Sequence, residues 1–338
     1  MHLAKNNVTD SSRQRDERAV HDEQSTQPPI HFSATPEHVL VTGATGFIGQ
    51  SLVQALIQDG HSVTVLSRDR ERAARIFRGK AACIGGVDEL PLSARVDVIV
   101  NLAGARILGH RWSVRRKQEL RRSRIALTER MVTWIAAAEH KPRLLLSASA
   151  IGYYGVQARG DDRALTEDSP PQPVFMSQLC QEWEAAAQKA TTHGVRVACM
   201  RFGVVFGRQG ALPMMLLPIR LGLGGRLGSG RQWQSWIHLL DALRGMAHVW
   251  RVPTQAGSFE AYNFTAPESV TQEAFSKTAA RILRRPCILA APAWPMRLML
   301  GEQADLLLEG QRVVPARLRA SGFAFTYPDL QGALRSLC

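Results

Sequence analysis

The sequence predicts an α/β protein: a Rossmann-type doubly wound parallel sheet carrying a small C-terminal α/β substrate cap. Three observations lead there. From His38 onward, short apolar runs alternate with amphipathic helical stretches, the order of a parallel sheet covered on both faces. The stretch VTGATGFIG, residues 41 to 49, spaces three glycines three apart, directly after an apolar run and before a helical pattern. Two strands later, another apolar run ends in the small-residue turn NLAG, residues 101 to 104.

Each element follows in order. HVLVTG reads as a buried strand, and FIGQSLVQALIQDG as an amphipathic helix stopped by Gly60. HSVTVLSR is a second, β-branched strand, and VDVIVNLAG (96–104) a further apolar one. A long basic helix is expected from about Val114 to Glu139. RLLLSASA (143–150) and VRVACMRFGVVFG (195–207) read as the next two strands. Residues 208–238 are glycine-rich and read as an irregular substrate-side loop. Residues 1–37 are polar and aperiodic, the composition of a disordered tail. The expected organisation is therefore a tail (1–37), a nucleotide-binding domain (38–270) with the inserted loop, and a small C-terminal domain (271–338).

Bulk properties narrow the function. The chain has 338 residues, 45% hydrophobic and 21% charged, ordinary values for a soluble globular protein. No apolar run approaches the roughly 18 residues of a membrane span. The net charge of +13 is partly concentrated in HRWSVRRKQELRRSR, residues 110–124. No zinc-finger spacing or RNA-binding aromatic signature accompanies it, so no nucleic-acid partner is expected. Five scattered cysteines, none in a CxxC pair, fit reduced thiols and a cytoplasmic setting rather than disulfides or a metal site. A monomer or homodimer is expected.

The glycine turn carries the clearest chemistry. A dinucleotide pyrophosphate needs backbone N–H groups at a helix N-terminus with no side chain in the way. Gly43 permits the tight turn, Gly46 the phosphate approach, and Gly49 the packing of helix on strand. The second strand ends at Ser67-Arg68. An acid at that tip would bind the ribose diol of NAD, whereas an arginine pairs a 2′-phosphate. Arg68 with Ser67 beside it favours NADP; the adjacent Asp69 keeps NAD as the less favoured cofactor, and an ordinary surface arginine is the plainer alternative.

TGATGFIG, NLAG, SASAIGYYG (147–155), RFGVVFG and WIHLLDAL (236–243) resemble the extended short-chain dehydrogenase/reductase superfamily. QEWEAAA (181–187), LPIRLGLGGRLGSGRQWQSWIH (217–238) and QRVVPARLRASGFAFTYPDLQGAL (311–334) narrow the resemblance to its epimerase-like subfamily, NAD-dependent epimerase/dehydratase-like with that subfamily's C-terminal domain, over residues 38–335. The resemblance implies cofactor contacts from Gly43, Thr45, Gly46, Phe47 and Ile48 in the phosphate turn, and from Ser67 and Arg68 on the adenosine side. It further implies Leu102, Ala103 and Gly104 in the third-strand turn, and Glu119 and Arg124 on the basic helix.

One departure stands out. Active members of the superfamily use a serine or threonine followed by a Tyr-x-x-x-Lys helix for proton transfer. Ser149 occupies the serine position. Aligning FMSQLCQEWEAAA on Glu184 places Met176 and Cys180 where tyrosine and lysine belong. A thioether carries no proton and a thiol no fixed positive charge. Tyr153 and Tyr154, in the loop after Ser149, are the candidate substitutes, with packing as the plainer role for both. His238, Arg201, Arg220, Arg231, Trp233 and Trp236 are candidate substrate contacts or core. The expectation is thus an NADP-dependent oxidoreductase or epimerase acting on a small anionic or sugar-nucleotide-like substrate. A silent NADPH-binding sensor or scaffold is the alternative.

Overall fold

The computed structural model describes residues 29–338 except 108, 110, 159 and 305–307. Its centre is a seven-stranded, all-parallel sheet of order β11-β6-β5-β4-β1-β2-β3. The strands are β1 (His38–Thr42), β2 (Ser62–Leu66), β3 (Ala82–Ile84), β4 (Val98–Asn101), β5 (Leu144–Ala150), β6 (Arg196–Phe202) and β11 (Phe259–Phe264). Strand order reverses between β1 and β4, so a crevice opens above their carboxyl ends.

Alternation along each strand splits the core into two layers. Val39, Val41, Val98 and Val100 face one side, with Leu52 and Leu56 of helix α1 (Phe47–Gln58). Leu40, Ile99, Leu145 and Val197 face the other, with Met131, Trp134 and Ile135. A strand buried on both faces has no polar side to show, which is why these runs read as continuously apolar.

The basic helix is not one helix. It comprises α3 (Val114–Arg121), a π-helical turn Arg122–Ala126, and α4 (Leu127–Ala137). Lys141 stops it before Glu139 by donating to the carbonyls of Ala136 and Ala138 at 2.8 and 2.7 Å. Between α3 and β2 lies α2 (Arg70–Phe77), capped by Asp69, which accepts from the Arg72 amide at 2.9 Å.

The strand expected over 195–207 breaks at Gly203. There the Ser235 carbonyl approaches so closely that a Cβ would lie 2.5 Å from it. Beyond the break, β7 (Val204–Phe206) leaves the main sheet and pairs with β10 (Trp236–His238). The region 208–238 is also more ordered than expected. It holds helix α6 (Leu212–Arg220), β8 (Gly224–Leu227) and β9 (Trp233–Gln234). Leu212, Leu216 and Ile219 bury one stripe of α6 against Phe275 and Ala279 of α8 (Gln272–Leu283). The same cluster takes in Leu330 and Leu334 of the last helix, α11 (Leu330–Leu337). Burial thus overrides a loop-like local composition, and the inserted segment and the C-terminal segment share one core. The cap is completed by β12 (Val270–Thr271), β13 (Cys287–Ala291) on β8, α9 (Ala293–Leu300) and α10 (Ala316–Ala320).

Of the expected tail, residues 1–28 lie outside the described residues, and the part that follows packs on the α/β domain. Phe32 is fully buried, its ring 5.4 Å from that of Trp250 on α7 (Leu239–Arg251). Its amide donates to Asp59 at 2.7 Å, and Glu37 accepts from Arg143 at 2.6 Å and from Trp250 Nε1 at 2.8 Å. A lone phenylalanine in a polar stretch has no periodicity to reveal it. Phe32→Ala should cost about 3–5 kcal/mol in urea unfolding, the penalty of an emptied aromatic site.

His238 is buried at the start of α7. Its Nδ1 accepts from the Leu240 amide at 3.1 Å, and its ring lies 4.0 Å from Tyr327. Burial pushes its pKa down to about 4. Between that value and the ordinary 6.5 or so, the unfolded chain holds a proton that the folded chain lacks, so stability falls as pH drops. Unfolding free energy measured at pH 7 and pH 5 should differ by about 2 kcal/mol from this group, a difference that His238→Gln removes.

Candidate functional site

Three glycines shape the turn between β1 and α1. Gly43 has φ +68°, and a Cβ there would sit 2.7 Å from the Leu102 backbone; only glycine lets the two strand ends approach this closely. A Cβ on Gly49 would lie 2.3 Å from the Gly43 carbonyl, so Gly49 lets α1 pack onto its own turn. Gly46 is the N-cap of α1. No side chain caps this end and no acid stands in its first turn, which leaves its amides and the positive end of the helix dipole for an anion.

A cavity of about 280 Å³ lies at this turn. Gly43, Gly46, Phe47, Ile48, Leu102, Arg124 and Ser149 all line it. Thr45, Ala103 and Gly104 do not, yet two of them serve the wall. The Ala103 amide donates to Thr42 Oγ1 at 3.3 Å. A Cβ on Gly104 would lie 2.9 Å from the Arg124 guanidinium carbon, so Gly104 makes room for that side chain. The Thr45 carbonyl accepts from Gln50 at 2.8 Å.

Arg124 enters through the π-helical turn. The turn adds a residue to the helical circuit and rotates Arg124 inward, while Thr128 Oγ1 takes up its carbonyl at 2.7 Å. The guanidinium donates to the carbonyls of Ala105 at 2.9 Å and Leu120 at 3.3 Å, and lies 5.2 Å over the Trp183 ring. Burial lowers its pKa to about 10, so it remains a cation at neutral pH. Glu119, by contrast, stands on the outer face of α3, bonded to Arg116 at 2.7 Å, and lines no cavity described here.

At the tip of β2, Ser67 is buried and its hydroxyl donates to the Asp69 carbonyl at 2.9 Å. The Asp69 carboxylate is engaged in capping α2. Arg68 is exposed beside them.

The catalytic candidates separate. Ser149, at the end of β5, faces the cavity and donates to Glu184 Oε1 at 2.6 Å. Glu184, on α5 (Phe175–Gln188), holds Arg201 of β6 through two bonds of 2.8 Å. Arg201 in turn donates to the Tyr154 hydroxyl at 3.0 Å, and that hydroxyl donates to Asn263 at 2.6 Å. Burial raises the Tyr154 pKa to about 12. The Arg201 guanidinium carbon lies 3.4 Å from the centre of the Tyr153 ring. Both tyrosines pack around a buried arginine, and neither lines the cavity. Met176 and Cys180 do line it, one helical turn apart, at the places the alignment assigns to tyrosine and lysine. Burial and the Glu184 carboxylate push the Cys180 pKa up to about 12, so it is a neutral thiol.

Other candidates turn elsewhere. Trp236 is buried against Phe206, ring centres 5.2 Å apart, and Trp233 bonds Asp162 at 3.2 Å. Arg220 and Arg231 are exposed and line neither cavity. Trp183 had not been singled out. It lines the cavity with a buried Nε1 that has no hydrogen-bond partner among the described residues. Its spacing from Met176 and Cys180, seven and three residues, marks a single helix face. An open helix N-terminus, a buried cation and an orphaned donor together fit a dinucleotide.

A second, wider cleft of about 1580 Å³ adjoins this cavity; Phe47, Ile107, Ala150, Met176 and Phe202 line both. Among the described residues no helix is long and apolar enough to cross a membrane.

Comparison with known proteins agrees with this geometry. Residues 39–264 match the model of the NAD dependent epimerase/dehydratase family, and residues 291–337 match a domain of unknown function (DUF1731). The "Epimerase family protein SSP1921" of Staphylococcus saprophyticus is 39% identical over 305 residues, 89% of this chain and 99% of that protein. The crystal structure of human epimerase family protein SDR39U1 (isoform 2) with NADPH superposes with a TM-score of 0.75. It is 33% identical and covers 89% of this chain and 98% of its own. MoeE5 in complex with UDP-glucose and NAD has a TM-score of 0.67 at 23% identity, covers 88% of this chain and 96% of its own, and shares the fold. The match over residues 39–264, two thirds of the chain, shows that the chain belongs to the NAD-dependent epimerase/dehydratase family.

Proposed function

We propose that the protein is an NADP(H)-dependent oxidoreductase of the epimerase type, acting on a small anionic substrate in a reducing, cytoplasmic setting. The observation that carries the reading is Ser149, at the floor of the glycine-turn cavity and held by the buried Glu184–Arg201 pair. Preference for NADP is supported by Arg68 standing free at the tip of β2 while the neighbouring Asp69 carboxylate is spent on a helix cap. The human relative, whose structure contains NADPH, points the same way.

The bound dinucleotide supplies hydride chemistry. Gly46 and the first turn of α1 would hold its pyrophosphate, and Arg124 and Trp183 would border its reactive end. Because Ser149 donates its hydrogen to Glu184, its oxygen is left as an acceptor beside the Cys180 thiol, where it would take a hydrogen bond from a substrate hydroxyl. With Tyr153 and Tyr154 engaged by Arg201, the proton route left runs through Ser149 and water from the wide cleft.

The second reading is a catalytically silent NADPH sensor or scaffold. Met176 and Cys180 favour it, since losing the usual pair removes about 10²–10⁴ in rate.

Two measurements test these readings. Titration by nicotinamide fluorescence should show NADPH binding. Arg68→Ala should weaken it about 10–100-fold, the worth of charge-assisted hydrogen bonds, with NADH little changed; an unchanged preference overturns the NADP assignment. NADPH absorbance followed over carbonyls, enones and sugar nucleotides should reveal turnover, which Ser149→Ala lowers by at least about 10²-fold with NADPH binding intact. Silence across the panel favours the sensor.

A further inference from the structure

The wide cleft adjoins the glycine-turn cavity and is lined mostly by residues that the cavity does not share. At about 1580 Å³ it exceeds the range of about 300–1,000 Å³ usual for small-molecule sites. Its walls come from four places: Trp112 and Phe175 near the basic helix, Met215 on α6, Leu223 and Leu289 beside the β8–β13 ribbon, and Phe275 on α8. The ribbon is built for close approach. A Cβ on Gly225 would lie 1.5 Å from the Leu289 carbonyl, so glycine alone brings β13 against β8 to form this wall.

The polar groups of the cleft are largely spent. Lys117 and Arg121 sit over the Phe175 ring, and each already holds a carboxylate: Glu302 at 2.6 Å and Glu182 at 2.9 Å. Gln272 accepts from the Leu227 amide at 2.8 Å and donates to Ser276 at 2.8 Å. Gln311 donates to the Gly155 carbonyl. The Glu309 carboxylate also lines the cleft, and besides the exposed Gln178 two groups remain for a ligand. Gln234 Oε1 is buried without a partner among the described residues, and Arg226 is exposed on β8 at the water-facing edge. A sugar nucleotide would need several cations for its diphosphate and many partners for its hydroxyls. These walls offer apolar surface instead, and apolar surface selects apolar ligands.

We propose that the cleft binds the substrate by an extended apolar body ending in an acid, a long-chain or fused-ring carboxylate. Its acidic end meets Arg226, and its reacting carbon lies where the cleft joins the cavity at Ala150 and Met176. This rests on the oxidoreductase reading and names its substrate class. Apolar contact along the body supplies affinity, Arg226 sets direction, and the shared residues bring the far end to Ser149.

The test uses the full chain and anilinonaphthalene sulfonate, itself an anionic apolar molecule, as fluorescent probe. Saturable binding is expected, displaced by oleate and not by UDP-glucose. Met214 and Leu289 line the cleft and are 77% and 46% exposed, so glutamate at either position is compatible with folding. Met214→Glu and Leu289→Glu should each weaken probe and oleate by about tenfold or more. Leu217→Glu and Ile288→Glu, on neighbouring exposed surface outside the cleft, should change neither. Arg226→Ala should weaken oleate and leave oleyl alcohol unaffected. Displacement by UDP-glucose in place of oleate overturns the proposal, as does equal weakening by the outside pair. NADPH titration runs on the same samples. Its failure would sink the cofactor reading while the probe results stand on their own.

Discussion

The buried pair between Glu184 and Arg201 is the interaction on which the site depends. It joins α5 to β6 with both side chains about 5% exposed. Each charge has taken up its remaining bonds: Ser149 on one side, and Tyr154 and the Glu167 carbonyl on the other. A buried pair is not by itself a source of stability, because desolvation consumes most of the attraction. What it provides here is position. Removing either charge would strand the other, so Ser149 is held to one orientation at the cavity floor. The network continues through Asn263, whose amide donates to Glu167 at 2.9 Å and whose side chain donates to the Val314 carbonyl at 3.0 Å. The central sheet and the C-terminal segment are thereby tied together beneath the site.

The positive charge over the cavity comes from a different device. Arg124 needs no carboxylate partner because backbone carbonyls and the face of Trp183 surround it. A guanidinium stays ionised in such a place, whereas a lysine would tend to lose its proton. The site thus presents a fixed cation close to the Cys180 thiol. Its chemistry differs accordingly, since Arg124 can attract charge but cannot give up a proton near neutral pH.

The cap adds the third element, a cleft whose walls are supplied jointly by the inserted segment and the C-terminal strands. Asp241 helps hold this assembly, accepting the amides of Thr326 and Tyr327 at 2.8 Å each from the first turn of α7. Burial raises its pKa while those amides oppose the rise. The glycine-turn cavity and the wide cleft meet at Ala150 and Met176, so the α5 face that carries Met176 is also where the two spaces join.

Local sequence was sufficient wherever a local rule governs structure. Alternating apolar strands and helices specified the parallel sheet, because strands buried on both faces must be apolar throughout. The glycine spacing specified the turn, because Gly43 and Gly49 stand where a side chain would collide with backbone. The family resemblance, aligned on Glu184, singled out Met176 and Cys180, and both line the glycine-turn cavity. Tertiary structure alone decided what depends on neighbours distant in the chain. Glu184 and Arg201 are 17 residues apart, and only the packing of α5 on β6 makes them a pair that draws Tyr153 and Tyr154 away from the cavity. The π-helical turn that brings Arg124 inward, the order within 208–238 and the burial of Phe32 have the same origin. Each is favourable only after the surrounding core exists, and so none leaves a periodic mark in the residues that form it.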